Sequence, residues 1–297
     1  MSDPKAPTDR LAPAPISRRE FAALSVAAGV AALAGPVEAR STAPLRETDV
    51  EIHTPSGICD AALVHPDGKG SWPTAIIFPD IFGLRPVMRD MAKRLAAEGY
   101  AVLVPNPFYR ATKAPGITHD FDFGSPKDLA KLAALRAPLT AEGVGQDATA
   151  YVTYLDGLTV VSKKARIGVF GYCMGGPMTM QAAAAVPGRI GAGASFHGGG
   201  LVTDKPDSPH LLVPRLKGQF YFAVAANDDE KQPTAKTTLA EAFKAANVPA
   251  KIEVYEGTLH GWCVKDMPVM EGKPLYNEPQ AERAWGELAT LFKRALV

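Results

Sequence analysis

Short apolar runs that alternate with helical patterns are the feature that most restricts what this chain can fold into. We interpret as strands the runs 74–78, 101–104, 167–170, 192–196, 220–225 and 252–255. Patterns typical of helices cover about 87–97, 147–155, 174–186, 234–246 and 281–296. Continuously apolar runs are typical of parallel strands that are covered on both faces. The alternation therefore predicts an α/β protein with a mostly parallel, doubly wound sheet flanked by helices.

The length of the chain fits one catalytic domain. Its 297 residues, 46% of them hydrophobic, can bury one substantial core, and we expect a single domain over 40–297. An antiparallel pair at 50–52 and 61–64 is expected to precede the parallel strands. The stretch 107–145 is interrupted by Gly and Pro, so it predicts an irregular arch over the carboxyl edge of the sheet.

The first 39 residues predict export. Residues 17–21 (SRREF) are similar to a twin-arginine (Tat) signal, and the apolar stretch 21–34 is too short to span a bilayer comfortably. Cleavage after Ala39 would leave a periplasmic or otherwise exported protein without a stable membrane span. An uncleaved anchor and a disordered tail are the alternatives. The Tat export machinery is accordingly an expected partner.

Charge and cysteine content exclude several classes of function. The 32 basic and 31 acidic residues nearly cancel, so no field for capturing nucleic acid is expected, and small neutral or weakly charged substrates fit better. Three cysteines, Cys59, Cys173 and Cys263, are too few and too irregularly spaced for a disulfide framework or a paired-cysteine zinc site. We expect neither a metal nor an organic cofactor.

Residues 171–176 (GYCMGG) predict a nucleophile elbow. The motif follows an apolar strand and opens a helix, which is the context that such an elbow requires. Gly171 and Gly175 leave the space that the sharp turn needs, so Cys173 is the candidate nucleophile. The amino end of the next helix would favour its thiolate form. The alternative is a small, inert core cysteine.

An elbow of this kind needs an acid and then a histidine further along the chain. His260 follows a strand near the carboxyl terminus and is the candidate base, whereas His197 precedes the acids and is interpreted as a structural or supporting residue. Asp228 and Asp229 both follow the preceding strand. Strand register favours Asp228 as the acid, and Asp229 remains an alternative.

With these residues in place, the chain resembles the dienelactone hydrolase family from about residue 48 to its end. The resemblance is carried by 79–84 (PDIFGL), 171–176, 227–229 (NDD) and 259–261 (LHG). It implies an α/β-hydrolase fold and hydrolysis of an ester or lactone, of the carboxymethylenebutenolidase type, without a cofactor. The substrate would be a small molecule.

The resemblance also implies roles for three further residues. Asp80 matches a family carboxylate that touches the thiol and helps to activate it, although the archetype has the longer Glu. The backbone amides of Ile81 and Met174 would form the oxyanion hole. Alternatively, Asp80 is a turn residue that caps the local backbone.

One departure from the family limits the prediction of the substrate. The archetype binds a substrate carboxylate with arginines, one of which lies four residues beyond the catalytic histidine, where this chain has Val264. The resemblance implies that the other arginine corresponds to Arg110. Broader carboxylesterase activity is therefore an alternative.

The sequence thus predicts catalysis by Cys173, His260 and Asp228 through an acyl-thioester intermediate. A third alternative is a catalytically silent homologue that binds a ligand or senses oxidants through Cys173.

Overall fold

A computed structural model of the protein describes residues 43–118, 121–270 and 272–296. The expected signal segment, 1–39, lies outside the described residues, so export and cleavage remain predictions.

Eight strands of the described residues form one sheet. They are β1 (Leu45–Thr54), β2 (Gly57–Pro66), β3 (Thr74–Phe78), β4 (Ala101–Pro105), β5 (Ile167–Tyr172), β6 (Ile190–Phe196), β7 (Gln219–Ala225) and β8 (Ala250–Tyr255). Their order is β1-β2-β4-β3-β5-β6-β7-β8. β1 and β2 form an antiparallel pair, β2 runs antiparallel to β4, and the other neighbouring strands are parallel. The prediction of a mostly parallel α/β sheet is confirmed.

Helices cover both faces of this sheet. They are α1 (Pro86–Ala96), α2 (Pro126–Arg136), α3 (Ala141–Gly157), α4 (Gly175–Ala185), α5 (Ala226–Lys231), α6 (Ala235–Ala245) and α7 (Glu278–Leu296), with a 3-10 helix at Pro209–Arg215. A short hairpin, β9 (Val269–Met270) and β10 (Lys273–Pro274), precedes α7. Among the helices in the described ranges, none is both long enough and apolar enough to cross a bilayer.

The alternation of side chains along a strand divides the core into two layers. In β3, Ala75 and Ile77 belong to the cluster that contains α1 and α7, whereas Ile76 and Phe78 belong to the cluster that contains α3, α4 and α6. All four side chains are almost fully buried. Successive residues of a strand point to opposite faces, so an apolar strand without alternation is what a sheet covered on both sides requires.

The stretch 107–145 is more regular than the sequence predicts. It contains α2 and the start of α3, and each helix has a side-chain cap: Ser125 accepts a hydrogen bond from the amide of Asp128, and Thr140 accepts one from Gly143. The expected absence of a long element is therefore wrong. Gly and Pro in this stretch end one element and start the next, and Pro126 occupies the first turn of α2, where it needs no hydrogen bond.

Part of this stretch covers the carboxyl edge of the sheet with a small apolar cluster of its own. Phe108, Ile117, Leu132 and Leu135 form its buried centre. Partly buried side chains pack against them, among them Ile81 and Phe82 after β3, Phe121, Leu139, and Met174 after β5.

Candidate active site

Cys173 occupies the sharp turn between β5 and α4. β5 ends at Tyr172 and α4 begins at Gly175, so only two residues make the connection. The φ angle of Cys173 is +50°, in the left-handed region that non-glycine residues seldom adopt. The turn is held by hydrogen bonds from the Cys173 amide to the Phe196 carbonyl (3.1 Å) and from the Gly176 amide to the Cys173 carbonyl (3.0 Å). Strained backbone of this kind is typical of functional sites.

The glycines on either side of Cys173 are required by close approach of the backbone. A Cβ atom on Gly171 would lie 2.2 Å from the carbonyl oxygen of Gly175, and one on Gly175 would lie 2.1 Å from the carbonyl oxygen of Phe78. Both distances are far inside van der Waals contact, and the atoms approached are backbone atoms. The motif therefore has the local geometry that its spacing predicts.

His260 and Asp228 form a hydrogen-bonded pair beside the elbow. His260 Nδ1 lies 2.6 Å from Asp228 Oδ2. Asp228 is in the first turn of α5, directly after β7, and His260 is in the loop after β8. The backbone amide of His260 also donates to Asn227 Oδ1 (2.9 Å), which fixes the loop against α5.

The structure separates the two candidate acids. Both carboxylate oxygens of Asp229 accept hydrogen bonds from Lys236 Nζ, at 2.7 and 2.6 Å, and none joins Asp229 to His260 among the described residues. Consecutive residues in a helical turn point in different directions, so only one of the two can face the imidazole. That residue is Asp228.

The imidazole of His260 lies between a carboxylate and a thiol. Burial disfavours its protonation, but hydrogen bonds to Asp228 and Cys173, together with their charges, raise the pKa of His260 to about 10. A protonated His260 would stabilise a thiolate on Cys173 by charge and by hydrogen bonding. The arrangement can therefore generate a nucleophile and store a proton for a leaving group.

The amides of Ile81 and Met174 are free to bind an oxyanion. Ile81 follows β3 and Met174 follows Cys173, so the two amides lie at the carboxyl ends of neighbouring strands. Within the described part of the chain, neither amide donates a hydrogen bond to another protein atom. By contrast, the neighbouring Phe82 amide donates to Asp80 Oδ1 (2.9 Å). Unpaired amides beside a nucleophile are what an oxyanion hole requires.

Asp80 is bound by an arginine rather than by the thiol. Its carboxylate is fully buried, and Arg85 donates to both oxygens at 2.7 and 3.0 Å. No hydrogen bond links it to Cys173 in the described ranges, unlike the arrangement that the family resemblance implies. Burial raises the pKa of Asp80, and the ion pair with Arg85 opposes that shift. The ion pair explains the difference, because an unpaired carboxylate at this depth would be costly.

Sequence reasoning did not identify Arg85 or its second partner. Arg85 also donates to both oxygens of Asp266, each at 2.8 Å, so one guanidinium joins two carboxylates. Its position five residues after Asp80 was a possible signal. Asp266 lies 181 residues away, and nothing local points to the contact.

Arg110, which the resemblance implies binds a substrate carboxylate, is held in an ion pair. Its guanidinium donates to both oxygens of Asp147 in α3, at 2.8 and 2.9 Å, and stacks over the ring of Tyr109. Binding a substrate carboxylate would require it to leave Asp147.

His197 packs directly against the catalytic pair. Its ring centroid lies 4.8 Å from that of His260 in an edge-to-face arrangement, and its φ is +40°. Burial and the charge of His260 lower the pKa of His197 well below its ordinary value, so it remains neutral. Its position agrees with the supporting role expected from the sequence.

Three cavities lie among the residues near the carboxyl ends of β3 and β5 and along α1 and α7. A cleft of about 190 Å3, which we call the aromatic cleft, is lined by Phe82, Ile117, Phe121 and Pro268, with Arg85 and Asp266 in its wall. A second cleft, of about 310 Å3, includes Met174 and Arg136. The largest cavity, about 520 Å3, lies between α1 and α7 and reaches Tyr172. In the described ranges, no cluster of three His, Cys, Asp or Glu side chains is arranged to hold a metal ion.

Comparisons with known proteins identify the family of this chain. A family described as "Dienelactone hydrolase family" matches residues 59–296. A protein of Synechocystis named "Putative carboxymethylenebutenolidase" is 28% identical over 238 residues, which cover 79% of this chain and 91% of the relative. A Methylorubrum extorquens protein of the same name is 26% identical over 288 residues, 94% of this chain and 93% of its own.

Solved structures show the same fold. The crystal structure titled as a putative dienelactone hydrolase from Klebsiella pneumoniae has a TM-score of 0.70 and 22% identity, and the match covers 84% of this chain and 99% of that one. A dienelactone hydrolase-like promiscuous phosphotriesterase from metagenomic libraries has a TM-score of 0.68 and 19% identity, with 85% and 99% covered.

Proposed function

Because this chain belongs to the dienelactone hydrolase family, we propose that it hydrolyses an ester or lactone with Cys173 as the nucleophile. The observation that carries the proposal is the His260–Asp228 hydrogen bond (2.6 Å) together with the strained elbow at Cys173, whose thiol is among the groups that raise the pKa of His260. A thiol, an imidazole and a carboxylate in this order form a catalytic triad. The carboxymethylenebutenolidase name of the relatives makes a lactone the first substrate class to test.

In the acylation half of the reaction, the Cys173 thiolate attacks the carbonyl carbon. The carbonyl electron pair moves to the oxygen, and the resulting oxyanion accepts hydrogen bonds from the amides of Ile81 and Met174. When the tetrahedral intermediate collapses, the C–O bond breaks and the departing alkoxide takes the proton from the imidazolium of His260. The product is an acyl-thioester on Cys173, and a lactone would keep its alcohol on the acyl group.

In the deacylation half, water replaces the alcohol. Neutral His260 accepts a proton from the water, whose oxygen attacks the thioester carbonyl, and the same two amides bind the second oxyanion. Collapse expels the Cys173 thiolate beside the protonated His260 and releases the acid. Asp228 holds Nδ1 throughout and stabilises the cation.

We assign Asp80 a supporting part in this scheme. It binds the Phe82 amide and Arg85 at the same time, which fixes the turn that presents the Ile81 amide. We therefore assign the proton of the thiol to His260, which Asp228 holds at Nδ1 and whose pKa the Cys173 thiol helps to raise.

The test is hydrolysis of lactones and aryl esters by the wild type, Cys173→Ala and Cys263→Ala, with mass spectrometry of the acyl-enzyme. We expect an acyl adduct on the peptide that contains residue 173, loss of turnover in Cys173→Ala, and nearly normal turnover in Cys263→Ala. Equal activity of the wild type and Cys173→Ala would rule out the proposed nucleophile.

Export through the Tat machinery is part of the proposal and rests on residues 17–39. Amino-terminal sequencing of the protein recovered from a periplasmic fraction tests it, with cleavage expected after Ala39. Replacement of Arg18 and Arg19 by Lys should then retain the protein in the cytoplasm, and unchanged export of that variant would contradict the proposal.

A further inference from the structure

All hydrogen-bond donors of Arg85 are already in use. A guanidinium has five N–H groups. In Arg85 they donate to both oxygens of Asp80, to both oxygens of Asp266, and to the carbonyl of Gly83. Arg85, which lines the aromatic cleft, therefore has no N–H group left to donate to a substrate.

The two positions at which the family resemblance would place arginines offer no free cation either. Arg110 is bound by both oxygens of Asp147. Residue 264, four positions beyond His260, is a fully buried valine.

The charge of the cleft wall disfavours anions. Arg85 carries one positive charge and faces the two carboxylates of Asp80 and Asp266. The group has a net charge of zero when one carboxylate is ionised and of −1 when both are. Arg85 is only 6% exposed, which limits screening by solvent. A carboxylate that entered the aromatic cleft would meet no unpaired positive charge there and would lose its hydration.

The remaining lining of the cleft suits an apolar ring. Phe82 and Phe121 meet edge to face with ring centroids 6.1 Å apart, and Phe123 continues the cluster 4.9 Å from Phe121. Aromatic rings in this geometry gain additional stabilisation from another ring placed at a face or an edge. A volume of about 190 Å3 is sufficient for one six-membered ring, because an apolar cavity of about 150 Å3 can hold benzene.

The aromatic cleft and the candidate oxyanion hole share one apolar cluster. Phe82 is the neighbour of Ile81, whose amide is assigned to the oxyanion hole, and both side chains share an apolar cluster with Met174, the residue after Cys173. We place a substrate ring beside Phe82 and Phe121, on the side of this cluster that leads to an ester carbonyl bound at Ile81 and Met174.

We infer that the preferred substrate is a neutral ester or lactone that carries an aryl or similarly sized apolar ring, which binds in the aromatic cleft, and that the Asp80–Arg85–Asp266 group rejects substrates bearing a carboxylate there. The inference rests on the proposed function and specifies the substrate class of the same site.

The first experiment compares two esters that differ by one charge, 4-(methoxycarbonyl)phenyl acetate and 4-carboxyphenyl acetate. Each kcat/KM is divided by the hydroxide-catalysed rate of the same ester, which corrects for the leaving group. We expect the neutral ester to be favoured by at least tenfold. In Asp266→Asn the wall loses a negative charge, so this preference should fall at least threefold. Asp67→Asn is the control, because Asp67 is an exposed carboxylate after β2, at the opposite edge of the sheet. The preference for the neutral ester should not change in this variant.

The second experiment tests the ring. Phe121→Ala should lower kcat/KM for phenyl acetate about tenfold more than for methyl acetate, whereas Leu211→Ala, which shortens an exposed side chain elsewhere, should leave that ratio unchanged. A wild type that prefers the carboxylate ester, or a Phe121→Ala variant with an unaltered ratio, overturns the inference while Cys173-dependent hydrolysis keeps the proposed function. If neither ester is hydrolysed while a lactone is, the inference alone fails. If no ester or lactone is hydrolysed, or if Cys173→Ala is as active as the wild type, the proposed function fails, and the inference fails with it.

Discussion

Asp228 Oδ2 lies 2.6 Å from Nδ1 of His260, and the adjacent Asp229 is turned away to Lys236. This contact directs Nδ1 of His260 to Asp228 and leaves Nε2 as the nitrogen that can serve Cys173. Replacing Asp228 with Asn keeps the shape but removes the charge and allows the wrong tautomer. We expect kcat/KM for an aryl ester to fall about a thousandfold or more in Asp228→Asn.

The matched control for that change is Asp229→Asn, which removes a neighbouring carboxylate from a partly exposed ion pair with Lys236. Its kcat/KM should remain within about threefold of the wild type. A larger fall in kcat/KM for Asp229→Asn than for Asp228→Asn would mean that Asp229 is the acid of the triad.

The three cysteines should differ sharply in reactivity in the folded protein. Cys173 is partly exposed, whereas Cys59 and Cys263 are buried. Burial raises the pKa of Cys59 to about 12 and raises that of Cys263 well above its ordinary value. Mass spectrometry after brief iodoacetamide treatment at pH 7 should therefore find one adduct in the wild type and none in Cys173→Ala. Comparable labelling of Cys263 in the folded protein would contradict the exposure described here.

The stability that His260 contributes should depend on pH. Its pKa is raised from 6.5 to about 10 in the folded protein, so the protonated form is favoured by folding. Stabilisation by its pairing is complete below pH 6.5 and is lost as the pH rises through about 10. The difference in free energy of unfolding between the wild type and His260→Gln, measured in urea, should shrink from pH 6.5 to pH 10. A difference that grows over this interval would show that the neutral imidazole is the form favoured by folding.

The elbow should not tolerate a methyl group. In Gly175→Ala the new Cβ would lie 2.1 Å from the carbonyl oxygen of Phe78, so either β3 or α4 has to shift. We expect the variant to lose about 3 kcal/mol of unfolding free energy, at the upper end of overpacking effects, or to fail to fold. Gly188→Ala is the control, because its Cβ would meet nothing within 4 Å. Equal urea midpoints for the two variants would mean that the backbone near Cys173 is less tightly packed than described.

Arg85 should be more important for stability than a surface arginine of the same helix region. Arg85→Met leaves the fully buried Asp80 without its cation, and loss of one partner of a buried pair costs about 3–5 kcal/mol. Arg89→Met breaks partly exposed pairs with Glu47 and Asp49, which are worth about 1 kcal/mol or less. Urea unfolding of the two variants provides the comparison. Similar losses of unfolding free energy in the two variants would mean that the Asp80 carboxylate is better solvated than described.

Much of the fold could be predicted because the signals for it are short-range. Apolar runs of five or six residues specify strands that are buried on both faces, and the motif at 171–176 specifies a turn whose sterics involve mostly its own residues. The helices of 126–157 were less visible, because frequent Gly and Pro obscured the N-caps at Ser125 and Thr140. Local reasoning identified these interruptions and the later part of α3, predicted at 147–155, but not α2 or the start of α3.

The sequence by itself determined the α/β architecture, the elbow that presents Cys173, and the chain order of the acid and His260. Only the tertiary structure paired His260 with Asp228 rather than Asp229, joined Asp80 and Asp266 through Arg85, and engaged Arg110 with Asp147. The physical reason is the range of the interactions. Backbone sterics and strand periodicity act over a few residues, whereas a side chain's partner depends on which distant elements the fold brings to the same place and on how each helix is rotated about its axis.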